Sequence, residues 1–361
     1  MRQLTILILI ITVFSCSNKT AHQTIDTEAV TKFWEITEIL KEDSVLTDSL
    51  WLSYYTLVGN KRYMEYNRSE QNVADHRKFL ALFFRPSLSD SLQLTLESGE
   101  SENNDIFQNL RFIKDNENEL KEYTNIITSP QYFQDCIGLA KEYLPKGEYE
   151  SIPNELKTYL QTFTYDAAIQ GNYMYYGLTV VYDFDKFRKG AVIAHEIHHL
   201  LRKNKALKNV LSKRDSATYH IVDQINNEGI ADLIDKELVL NHSKELLLGS
   251  LFKEALFDQA ESVIPKLDSC FIINSNKAEA FVSKKDFRVI TSYLNGHLPG
   301  FYMAHVIKRN GKLQELINHS DNPFYIFYLY NEVAKKDKKQ PQTYSDSSIE
   351  YLRKLEKKAF Q

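Results

Sequence analysis

The chain has 361 residues, 44 of them Lys or Arg and 48 Asp or Glu, for a formal net charge of −4. Bases and acids are balanced and no basic stripe stands out, which argues against a nucleic-acid partner. With only 12 Gly and 8 Pro but 22 Tyr and 20 Phe, the composition counts against a loop-rich β protein and fits long helices around an ample aromatic core.

The amino terminus begins Met1-Arg2-Gln3, followed by an apolar run over residues 4–14. That run is too short to span a bilayer and fits the apolar region of a signal peptide. It ends Val13-Phe14-Ser15-Cys16, which resembles the lipobox of bacterial lipoproteins. The resemblance implies a lipoprotein signal peptide over 1–16, acylation of Cys16, and a protein lipid-anchored in the bacterial cell envelope, facing the periplasm or the surface. An ordinary cleaved signal with a free Cys16 is the alternative. Residues 17–26 read as a polar tether.

Residues 27–150 carry helical periodicity and are expected to form a helical amino-terminal region. The first pattern, over 27–40, puts Val30, Phe33, Trp34, Ile36 and Ile39 on one broad face. Others cover about 47–58, 68–84, 104–126 and 131–143, while 87–104 is polar and acidic and reads as a loop. Residues 151–186 carry the expected strands, with 173–184 rich in β-branched and aromatic side chains. Cys136 and Cys270 lack zinc-ligand spacing and leave two options, one disulfide or two buried thiols.

The next segment carries the chemistry. His195-Glu196-Ile197-His198-His199 is an H-E-x-x-H motif within a helical pattern over 188–203. A helix turns by about 100° per residue, so His195 and His199 share a face and can grip one metal ion. Glu196 can then reach a metal-activated water as general base. Ala191, Val192, Ile193, Ala194, Ile197, Leu200 and Leu201 make the helix apolar nearly all round, which predicts burial. Buried imidazoles and a carboxylate need partners, and a metal supplies one.

A catalytic zinc needs a third protein ligand and an open position. Glu228, in Asn227-Glu228-Gly229-Ile230-Ala231-Asp232, is the candidate, on a second helical pattern over 219–240. Asp232 lies one turn on and would accept a hydrogen bond from a ligand histidine, fixing its tautomer. Between the two helices, 202–223 is rich in Lys and Arg and reads as a surface excursion.

H-E-x-x-H followed by E-x-x-x-D resembles the gluzincin metallopeptidases. The resemblance assigns zinc to His195, His199 and Glu228, the base to Glu196 and the support of a histidine to Asp232. It implies a zincin-like core over 151–361 and a mainly α fold with a small β-sheet (α+β). The chain is also similar to bacterial lipoproteins described as zinc-dependent peptidases, through its AHEIHH, NEGIAD and GHLPGFYMA segments. One departure is the interval of 29 positions from His199 to Glu228, where gluzincins have about twenty. Gluzincins also place an edge strand beside the cleft; by resemblance 173–184 would be that strand, and a buried core strand fits the residues equally.

An oxyanion donor is sought in 295–305, where His297 lies on a Gly- and Pro-marked turn and Tyr302 on the helix that follows. His305 is weaker. His198 breaks the ligand spacing and suits packing, and His220 is a remote alternative ligand. The expected activity is zinc-dependent hydrolysis of peptide bonds in a peptide or protein substrate. A zinc amidase acting on cell-wall peptides or another non-protein amide, or a non-catalytic metal-binding lipoprotein, is the alternative.

Overall fold

In the computed structural model, residues 25–99, 104–276 and 280–361 are described. The signal peptide, Cys16 and His22 lie outside them. The architecture is mainly helical with one small sheet, as expected. Eight helices lead: α1 (Glu28–Lys41), α2 (Asp48–Tyr55), α3 (Val58–Asn67), α4 (Glu70–Phe84), α5 (Ser89–Ser98), α6 (Asp105–Asp115), α7 (Glu117–Ile127) and α8 (Pro130–Lys141). Side-chain caps set several starts: Thr47 accepts from Leu50 N, Ser69 and Asn72 form a capping box, and Ser129 caps ahead of Pro130. Where a loop was expected over 87–104 the structure has α5, an exposed helix anchored only by Leu92 and Leu96. The pattern over 104–126 splits into α6 and α7 at Asn116.

The sheet has the order β1-β2-β4-β3, from β1 (Ile25–Asp26), β2 (Lys157–Gln161), β3 (Ala167–Gln170) and β4 (Tyr173–Gly177). The first three in that order are parallel, and β3 runs antiparallel to β4 at the edge. The strand expected over 173–184 is therefore two elements. Tyr173–Gly177 is the inner strand β4, and α9 (Leu178–Asp185) follows at once. Leu178, Val180, Val181 and Phe184 are all buried, so tertiary packing overrides their β preference. The edge strand is β3, not 173–184.

Gly190 then launches α10 (Ala191–Leu201). Its φ of +78° suits glycine, and a Cβ there would meet Cys136 Sγ at 2.7 Å. Cys136 and Cys270 are both free, buried thiols. The excursion after α10 is shorter than expected, because α11 (Lys213–His242) begins well before 219, capped by Ser212. The helices α12 (Gly249–Lys253), a π-helical turn over Glu254–Asp258, α13 (Ala260–Ser275), α14 (Lys284–Ile290), α15 (His297–Arg309), α16 (Leu313–Asn318), α17 (Tyr325–Ala334) and α18 (Asp346–Phe360) complete the chain. One apolar cluster runs from Val30 to Phe360. Among the described residues no helix is long and apolar enough to cross a membrane.

Helices α11 and α15 touch through glycines. A Cβ on Gly229 would lie 2.5 Å from Gly300 O, and one on Gly300 would lie 2.4 Å from Ile225 O. A Cβ on Gly296 would lie 2.0 Å from Gln224 O. Backbones this close leave no room for a side chain, and the crossing sets His297 beside Glu228 and Asp232.

Candidate metal centre

Helix α10 is buried on all sides, as its apolar composition predicts, and it aims His195 and His199 at α11. His195 Nε2 and His199 Nε2 are 3.1 Å apart. Glu228 Oε2 lies 3.6 Å from the first and 3.2 Å from the second. Zinc bonds of about 2.0–2.1 Å in a tetrahedron separate neighbouring ligand atoms by about 3.3 Å. The three atoms fit that triangle.

The donor chemistry agrees. His195 Nδ1–H donates to Asp235 Oδ1 at 3.0 Å, so the neutral ring presents a lone pair at Nε2. Glu228 Oε2 is buried and has no hydrogen-bond donor. Lone pairs facing one another at these distances repel unless a cation sits among them. Burial disfavours the charged form of His195, but Asp235 and Glu228 more than offset it and raise its proton affinity well above the ordinary value. The same carboxylates favour a divalent cation in the proton's place.

Burial likewise pushes Glu228 up, yet the His199 and His297 rings outweigh it and hold the carboxyl well below its usual range. Glu196 is buried on α10, and that burial raises its carboxyl. His297 is the first residue of α15 rather than part of the preceding turn. Its Nδ1 lies 3.1 Å from both oxygens of Asp232, and its Nε2 is 3.5 Å from Glu228 Oε2. Burial alone would lower it, but Asp232 and Glu228 push it up to about 9.

The structure thus brings His195, Glu196, His199, Glu228, Asp232 and His297 together. It divides the supporting role expected of Asp232: that residue holds His297, and Asp235 takes the shorter contact with His195, where Asp232 stands at 3.7 Å. Tyr302 goes elsewhere. Five residues along α15 from His297, its ring packs against Phe257 and Tyr330, with centroids 5.5 and 6.4 Å away. His305 pairs with Glu237, and His198 Nε2 meets the Tyr143 carbonyl oxygen at 3.3 Å. Both are packing residues. His220 sits half-buried, facing Lys284 and Asp223.

Asp235, Lys236 and Asp166 were missed. Asp235 carried a signal: Glu228, Asp232 and Asp235 follow the i, i+4, i+7 spacing of one helix face. Asp166 precedes β3 and carried none.

The centre opens into a cleft of about 690 Å³. Along one side runs β3, with Asp166 exposed at its head and bonded by the Tyr63 hydroxyl at 3.1 Å. The cleft is also lined by the apolar side chains of Val192, Phe184, Phe252 and Leu256. Residues 51–339 match the model of a family described as "Putative zinc dependent peptidase (DUF5700)". No curated protein and no solved structure matches the chain.

Proposed function

The chain belongs to that family, and from this premise we propose that the centre hydrolyses peptide bonds, with zinc held by His195, His199 and Glu228 and with Glu196 as general base. The observation that carries the reading is the triangle of Nε2, Nε2 and Oε2 atoms, contributed by the buried His195, the half-buried His199 and a buried Glu228 oxygen without a donor. When bound, zinc supplies a Lewis acid that polarises the scissile carbonyl and acidifies a water.

The chain's residues supply the rest. Glu196 follows the first ligand on α10 and takes the proton, then returns it to the leaving nitrogen. Its burial strengthens it as a base. Asp232, at 3.1 Å from His297 Nδ1, favours the protonated ring, whose Nε2–H would serve the oxyanion. The antiparallel edge strand β3 offers main-chain groups to an extended substrate, and the apolar lining takes a side chain beside the scissile bond. The lipobox-like Ser15-Cys16 supports a site of action in the cell envelope, on a lipid anchor.

The test pairs metal analysis with digestion of a peptide library. Glu196→Gln is expected to keep stoichiometric zinc and lose hydrolysis; full activity in that variant overturns the mechanism. Glu228→Ala is expected to lose zinc, and stoichiometric zinc there removes Glu228 as a ligand.

A further inference from the structure

His195 Nδ1 faces two carboxylates, and the structure singles out one of them. Asp235 Oδ1 accepts from it at 3.0 Å, whereas Asp232 Oδ1 is 3.7 Å away. The two acids are three residues apart on one face of α11, so the helix alone does not choose between them. Each histidine needs one. If His195 drew Asp232 inward, His297 would lose the partner it holds at 3.1 Å.

What distinguishes Asp235 is its other oxygen. Lys236 Nζ donates to Asp235 Oδ2 at 2.6 Å. A carboxylate held at one oxygen by an ammonium cannot rotate freely, and its second oxygen points where the first contact leaves it. Asp235 is almost wholly buried, and the Lys236 side chain is about a fifth exposed, at the cleft wall. A buried carboxylate whose charge is cancelled by a neighbour is also less costly to keep beside a metal ligand. The mechanism above makes no use of this lysine.

We propose that Lys236 is a positioning residue: by anchoring Asp235 it assigns that carboxylate to His195 and leaves Asp232 to His297. This rests on the zinc centre proposed above. The anchor acts through two bonds, Lys236 to Asp235 and Asp235 to His195.

The experiment compares Lys236→Met and Lys236→Arg in the full chain by two readouts that need no turnover. One is zinc affinity by competition with a chelator. The other is the proton NMR signal of the Nδ1–H groups of His195 and His297, read without metal. Loss of the anchor is expected to weaken zinc binding tenfold or more, the range in which partners of ligand histidines act. It is also expected to move both Nδ1–H signals, and Arg is expected to restore most of the affinity. A Lys236→Met chain that binds zinc within twofold of wild type, with both signals in place, overturns the proposal. If that variant does not fold, Lys236→Gln replaces it with the same thresholds. In an Asp235→Asn background the lysine change is expected to cost less than twofold; a tenfold cost there means that Lys236 acts by another route and also overturns it. Zinc bound without cleavage of any peptide removes the peptidase reading alone, and a wild type that binds no zinc removes the centre while the Nδ1–H signals still decide the role of the anchor.

Discussion

His76 on α4 and His195 on α10 are both buried, yet their surroundings are opposite. His76 sits among rings: Phe163 at 4.2 Å, Trp51 at 5.9 Å and Tyr54 at 6.2 Å between centroids. Both of its ring nitrogens lack hydrogen-bond partners. Burial, with Arg68 adding a little, pushes its pKa down to about 3, so it stays neutral. His195 has Asp235, Asp232 and Glu228 within 4 Å and goes the other way. Burial alone turns a histidine into an aromatic packing residue, and a collar of carboxylates turns it into a seat for a cation.

The comparison can be broken most sharply by exchanging what each histidine does. His195→Ala is expected to lose zinc and, with it, activity by a factor on the order of 10³ or more, while His76→Phe retains both. Metal analysis and peptide cleavage decide this, and zinc lost from His76→Phe would mean that the aromatic region supports the centre. A smaller effect is expected at His297, which the collar holds but which is not one of the three proposed ligands. His297→Ala should keep zinc and lower kcat by about 10²–10³. A rise in KM with kcat unchanged would make His297 a substrate-binding residue instead.

The smallest effect concerns acid. The folded pKa of His76, about 3, lies below the ordinary histidine value of 6.5. Below pH 6.5 the unfolded chain takes up a proton that the folded chain refuses, so this site costs stability progressively as pH falls toward 3. Between pH 6 and pH 4 the loss from this group should be about 2–3 kcal/mol, and His76→Phe should be spared it. Parallel denaturation curves at the two pH values check this; equal losses in both chains would show that His76 is protonated in the fold.

Sequence patterns exposed the parts of the molecule where one periodicity acts alone. The HEIHH helix was legible because its apolar flanks repeat on every side, and Glu228 because it shares a face with Asp232. Residues 178–185 were not: their β-branched side chains favour a strand, but α9 buries them on nearly all sides and packing decides. The polar stretch 89–98 looked like a loop because only Leu92 and Leu96 tie it to the core. Within the centre, Tyr302 stood near His297 in sequence, but five helical steps turn it away from the cleft. The allotment of Asp232 and Asp235 depends on Lys236 and on where α15 crosses α11, neither of which a spacing reveals. The glycines of that crossing were visible as turn markers, and their role in helix contact emerges only when Gly229 meets Gly300.

The segment between α10 and α11 gives the centre an unusual relation to the chain. Residues 203–210 are exposed throughout, and Lys203, Lys205 and Lys208 lie among them. The stretch is pinned at Lys205 N to Asp321 O and at Lys208 N to Ala359 O. A trypsin-like cut there would leave His195, Glu196 and His199 on one fragment and Glu228, Asp232 and His297 on the other. The two pieces would share the proposed three-ligand set, so a metal held there would link two polypeptides. A nicked molecule should therefore come apart more readily when chelated than when metal-loaded, which makes fragment dissociation a gauge of the centre that needs no substrate.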